Sequence, residues 1–136
     1  MQISAHVTFN GTCREAFEFY AQLLGGHIVT MMTWGDSPMA GEVPEADRGS
    51  VMHATLEICS DTLSGSDAVS GSYKPLHGIY LIVEPPAPAD AERIFAALAQ
   101  GGSVAMPLQE TFWAARYGMV TDRFGVHWEV NCGKPH

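Results

Sequence analysis

The stretch GVHWEVNCG, residues 125–133, sets a carboxylate, Glu129, between Trp128 and Val130. In an extended chain successive side chains point to opposite faces, so Val126, Trp128 and Val130 share one side while His127, Glu129 and Asn131 share the other. One face is suited to burial and the other could form a site. The plainer alternative is that Glu129 marks the solvated side of a half-buried sheet. A second strand-like run, MHATLEI at residues 52–58, puts His53, Thr55 and Glu57 on one face. Glu57 reads there as a solvated residue, and His53 as either solvated or part of the same site.

The elements that must hold these residues can be read from spacing. ISAHVTF, residues 3–9, alternates Ile3, Ala5, Val7 and Phe9 against Ser4, His6 and Thr8, and predicts a strand. TCREAFEFYAQLLGG then predicts an amphipathic helix, with Thr12 and Glu15 as a capping box and Gly25–Gly26 as its stop. Strands are expected over 27–34, 51–58 and 61–67, with a loop over the Gly-, Pro- and acid-rich residues 35–50.

The second part repeats this order. HGIYLIVE, residues 77–84, predicts a strand, PPAP breaks it, and ADAERIFAALAQGG predicts a helix that again ends in a glycine pair. Strands over 103–106, 117–121 and 126–131 complete it. Recurrence of β-α-β-β-β after about 75 residues suits a duplicated half-domain. The expected fold class is therefore α+β: two modules, about 1–70 and 75–136, whose curved mixed sheets form one domain with a concave face.

With 136 residues, the chain has room for one compact domain or two small halves. Its formal charge of −8, without a run of Lys or Arg, argues against nucleic acid or an anionic membrane as partner. Cys13, Cys59 and Cys132 are odd in number and widely spaced, which suggests neither a disulfide framework nor a zinc ribbon. MQISAHVTF lacks the basic-then-apolar pattern of a leader, and no apolar run approaches membrane-spanning length. A cytoplasmic protein is expected.

The runs TFNGTCREAFEFYAQLLGG, MHATLEI and ETFWAARYGMVTDRFGVHWEVN resemble the PhnB-like branch of the vicinal oxygen chelate superfamily, which includes glyoxalase I and the fosfomycin- and bleomycin-resistance proteins. The most specific part comprises Thr111, Phe112, Trp113, Ala114, Gly118, Thr121, Asp122, Phe124, Gly125, Val126, Trp128 and Asn131. Members of this branch also carry a demethylubiquinone methyltransferase label. No Gly-rich strand-to-helix turn of a nucleotide-binding fold accompanies it here.

The resemblance implies metal ligands on the first and last strands of each half: His6, His77 and Glu129, with Ser64, Gly65 and Ser66 where a fourth ligand would stand. Two imidazoles and a carboxylate form a facial set suited to Zn, Mn, Fe or Ni, leaving open positions on which a substrate with vicinal oxygens could chelate. His127, about 7 Å along the strand from Glu129, would be a proton shuttle or would orient a ligand. Arg116 is the candidate for an anionic substrate group, in a flap carrying Trp113 and Tyr117; Phe112 and Trp113 read as core or dimer contacts.

Two functions follow from these expectations. One is a divalent-metal-dependent enzyme on a small oxygen-rich molecule, of lyase, isomerase, transferase or oxygenase type. The other is a metal-free binding protein of the bleomycin-resistance kind, holding an aromatic or cationic ligand. A homodimer is expected in either case.

Overall fold

The computed structural model describes residues 1–135, which divide into two compact units, Met1–Lys74 and Pro75 onward. The first contains β1 (Ala5–Phe9), α1 (Cys13–Leu24), β2 (His27–Thr33), β3 (Val51–Ile58) and β4 (Asp61–Asp67). Its sheet runs β1-β4-β3-β2, with β1 parallel to β4 and the other pairs antiparallel. The second contains β5 (Leu81–Val83), α2 (Pro88–Ala99), β6 (Ser103–Gln109), β7 (Ala114–Thr121) and β8 (His127–Gly133). Its sheet, β5-β8-β7-β6, repeats the pairing, with β5 parallel to β8. Both are the expected βαβββ modules.

In each half one sheet face packs on the helix. Val7, Phe9, Ala54 and Leu56 meet Ala16, Phe17 and Tyr20, all at most 5% exposed, and Phe9 stands edge-on to Phe17 at 5.9 Å between ring centres. Val120, Trp128, Val130 and Cys132 form the buried sheet face of the second half, and Ala91, Ile94 and Leu98 the buried stripe of α2. Each large apolar side chain buried this way contributes about 1.5–3 kcal/mol. The pleat then turns His6, His53, Glu57, His127 and Glu129 to the open faces.

Two buried carboxylates tie the strand ends. Asp67 accepts from the backbone N–H of Cys13 and of Val51, each at 2.9 Å, so β4 anchors both the start of α1 and the start of β3. Thr12 makes no side-chain capping bond, in contrast to the expected capping box; the helix start is held instead at Cys13 N–H, by Asp67 of β4. Asp122 accepts from Phe124 N–H (2.9 Å), Val126 N–H (3.0 Å) and the Trp128 indole (2.9 Å), fixing the turn into β8. Gly25 closes α1 at φ +72°, and a Cβ on Gly26 would strike the Glu57 carbonyl.

The loop over 35–50 carries two short 3₁₀ turns, Ala40–Glu42 and Glu45–Asp47. β5 differs more from expectation. It is three residues long and begins at Leu81, because Gly78 at φ +72° interrupts the extended run that HGIYLIVE suggests. His77 therefore precedes the strand. No helix among the described residues is long and apolar enough to cross a membrane.

Candidate functional site

Glu129 lies in the middle of β8, opposite Ile82 on β5 and Met119 on β7. Two residues along, on the same face, Tyr117 stands opposite Asn131, and its hydroxyl donates to Glu129 Oε1. That hydrogen bond is the main reason the phenol is pushed up to about 12; desolvation and the nearby charges of Glu129 and Tyr80 add to it. Among the described residues no Lys or Arg pairs with Glu129. Trp113 packs edge-on against Tyr117 at 5.2 Å, and Phe112 against Trp113 at 4.8 Å. Phe112 and Trp113 are 89% and 47% exposed, so within this half they form a surface beside the site and not core.

His127 shares this face, but both its ring nitrogens are engaged. Nε2 donates to Leu76 O at 3.0 Å, which leaves Nδ1 to accept from Thr121 Oγ1 at 2.7 Å. The ring thereby holds the residue before His77 against β8, and it lies tilted against Tyr80 at 5.5 Å between ring centres. Arg116 is not brought to Glu129. Its register partner is the buried Cys132, and its guanidinium binds Glu92 of α2 at 3.2 Å and the Ala115 carbonyl at 2.7 Å. Among the described residues Asn131 Oδ1 is buried without a hydrogen-bond partner, and the residue lines a cavity of about 390 Å³ with Glu84, Pro85, Pro86, Pro88 and Lys134.

In the first half, His6 is opposite Ser64 on β4, and its Nε2 meets Ser66 Oγ at 2.9 Å. Partial desolvation and then His53 hold its pKa below 6.5. His53 Nε2 meets Thr55 Oγ1 at 3.1 Å. Glu57 is half-buried, and its carboxylate lies 3.8 Å from His27 Nε2.

His6 pairs with Ser64 as Ile82 pairs with Glu129, each on the parallel first-to-last strand contact of its half. One half keeps the imidazole and has a hydroxyl in the acid's place; the other keeps the acid and has an apolar side chain in the imidazole's place. His77 is exposed, five positions before Ile82. Within each half, among the described residues, no three His, Cys, Asp or Glu side chains form a group able to hold a metal ion.

Sequence reasoning passed over Tyr80, Ile82 and the Tyr117–Glu129 contact. In the sequence Tyr80 is one aromatic residue within the expected strand 77–84, and the other two depend on which strands pair.

The sequence model of the family described as 3-demethylubiquinone-9 3-methyltransferase matches residues 1–131. The crystal structure of protein PA1353 from Pseudomonas aeruginosa is 46% identical, covers 99% of each chain and superposes with a TM-score of 0.90. A PhnB protein from Bacillus cereus, named for the same methyltransferase, is 24% identical over 98% of this chain and 100% of its own, with a TM-score of 0.82. At the level of fold alone, a glyoxylase/bleomycin resistance protein/dioxygenase domain from Frankia sp. EAN1pec is similar over 98% of this chain and 95% of its own, at 14% identity and a TM-score of 0.63.

Proposed function

The chain belongs to the PhnB-like family described as 3-demethylubiquinone-9 3-methyltransferase, with the fold of the vicinal oxygen chelate superfamily, and on that premise we propose that it binds a small organic molecule on the open face of its second sheet without a metal ion. The observation that carries this reading is the setting of Glu129: its cross-strand neighbour on β5 is Ile82, and its carboxylate already accepts a hydrogen bond from Tyr117. A carboxylate beside an aliphatic side chain and a phenol is a poor start for a coordination shell and a good one for orienting an organic ligand. The family's label names methyl transfer. Among the described residues each half has one parallel strand pair, unlike the doubly wound parallel sheet on which a nucleotide-type methyl donor would rest.

A second reading keeps the divalent ion, with His6, His77 and Glu129 as ligands and vicinal oxygens of a substrate on the open positions. It is favoured by His6, whose depressed pKa leaves a neutral imidazole at neutral pH, the form that binds metal.

Two measurements separate the readings. The first is elemental analysis of wild type, Glu129→Ala and Glu57→Ala after matched reloading with Mn, Fe and Zn. The second is fragment screening by protein-observed NMR, with neutral, anionic and cationic fragments. The metal-free reading expects no stoichiometric ion in any of the three proteins and fragment shifts centred on Tyr117 and Glu129. Stoichiometric ion in wild type that is lost only in Glu129→Ala would replace it with the metal enzyme.

We also propose a homodimer, since β5 is a three-residue edge strand flanked by the exposed Ile79 and Tyr80. Light scattering at micromolar concentration should return twice the chain mass.

A further inference from the structure

We infer that the ligand of the Glu129 face is an organic ammonium ion, a protonated or quaternary amine carrying an apolar body, held between the Glu129 carboxylate and the rings of Trp113, Tyr117 and Tyr80. This rests on the small-molecule reading above and specifies its ligand.

The argument starts from charge. Glu129 is an acid on an open face, and among the described residues no Lys or Arg neutralises it. Arg116, the cation nearest in sequence on β7, is turned to α2 and paired with Glu92. Among the described residues, the carboxylate accepts its hydrogen bond from a neutral phenol, on Oε1. Oε2 remains available for an incoming N–H donor or a positive charge. The chain as a whole carries a formal charge of −8, so its long-range field also favours a cation.

The surroundings select the kind of cation. Trp113 lies against Tyr117 at 5.2 Å between ring centres, Tyr117 bonds to Glu129, and Tyr80 is close enough to act on the Tyr117 phenol electrostatically. Trp113 and Tyr80 are 47% and 40% exposed, so each side chain is in part accessible to a ligand. Aromatic faces attract soft, weakly hydrated alkylammonium groups within about 6 Å of the ring centre, and an adjacent carboxylate strengthens this attraction. A bare divalent ion would gain little from the rings, and an anion would meet Glu129 with no compensating cation. Ile82 beside Glu129 offers apolar contact for the body of the ligand.

Benzyltrimethylammonium, benzyl alcohol and phenylacetate are suitable probes, titrated separately into the full chain and followed by ¹H–¹⁵N NMR shifts, with the Trp113 indole as reporter. The expected result is that benzyltrimethylammonium binds at this face at least tenfold more tightly than the other two. Glu129→Gln, which keeps the side-chain shape, should abolish that preference, and Trp113→Ala should weaken the cation at least fivefold. Equal binding of cation and alcohol, tighter phenylacetate, or a preference that survives Glu129→Gln overturns the inference. If neutral or anionic fragments bind this face and the cation does not, the small-molecule reading stands and the ligand class is wrong. If no fragment of any charge binds there, both fall.

Discussion

Glu129 and Ile82 face each other across the parallel β5–β8 pair, the same relation that His6 and Ser64 have across β1–β4. Each half thus keeps one member of an imidazole–carboxylate pair and not the other. The relation is testable by restoring the missing member. Ile82→His adds an imidazole beside the carboxylate, and Zn²⁺ affinity measured by competition with a chromophoric chelator should rise at least tenfold over wild type. Zinc affinity unchanged by this substitution would mean that the register does not govern metal binding here.

Tyr117 supplies a spectroscopic handle on the same acid. Its phenol is pushed up to about 12, chiefly by the hydrogen bond to Glu129. An unfolded tyrosine titrates near 10, so this contact stabilises the fold fully below about pH 10 and the contribution is lost as pH rises toward 12. Ultraviolet difference titration at about 295 nm, where phenolate absorbs, should show one late-titrating tyrosine in wild type. The late component should move back toward 10 in Glu129→Gln. A late component that persists in that variant would assign the shift to desolvation instead.

His6 makes the opposite test on the first half. Its pKa is lowered by partial desolvation first and by His53 second. A depressed imidazole contributes stability above pH 6.5, lost as pH falls from 6.5 to the folded-state value, because the unfolded chain takes up the proton first. NMR titration of the His6 ring should give a midpoint below 6.5 that rises only part of the way in His53→Ala, since desolvation remains. A full return to 6.5 would make His53 the main cause.

Much of this arrangement is legible in the sequence, and the missing part has a common cause. Alternation in VMHATLEI gives β3 its observed bounds, Val51–Ile58, and the pleat alone separates Trp128 and Val130 from Glu129. These depend only on neighbours in sequence. Ile82 opposite Glu129, Tyr117 reaching Glu129, and Asp67 holding the Cys13 N–H at the start of α1 all depend on strand pairing, which local periodicity does not specify. Arg116 illustrates the same limit: on spacing it suits a ligand anion, but the odd-even alternation of β7 sends it to Glu92. HGIYLIVE misleads for a different reason. Its apolar, β-branched composition is strand-like, yet Gly78 takes a left-handed conformation and leaves His77 outside β5.

The string TDRFGVHWEVN draws the eye to Glu129, but the residue that holds the string in shape is Asp122. Its carboxylate is buried and accepts from Phe124 N–H, Val126 N–H and the Trp128 indole, so one side chain sets the turn, the first residues of β8 and the ring that packs beneath Glu129. Asp122→Ala removes all three acceptor contacts and leaves buried donors unpaired. Each such donor costs about 1–3 kcal/mol, so the total destabilisation should be roughly 3 kcal/mol or more. Asp122→Asn keeps an acceptor oxygen at similar volume and should lose less than half as much. Urea midpoints, with the slope checked for constancy, measure both. Glu129→Gln, on the open face of the same strand, should shift the midpoint by under about 1 kcal/mol, as expected for loss of a single, partly exposed contact. If Asp122→Ala proves no more damaging than Glu129→Gln, the carboxylate is not what fixes β8, and the orientation of Glu129 must come from strand pairing alone.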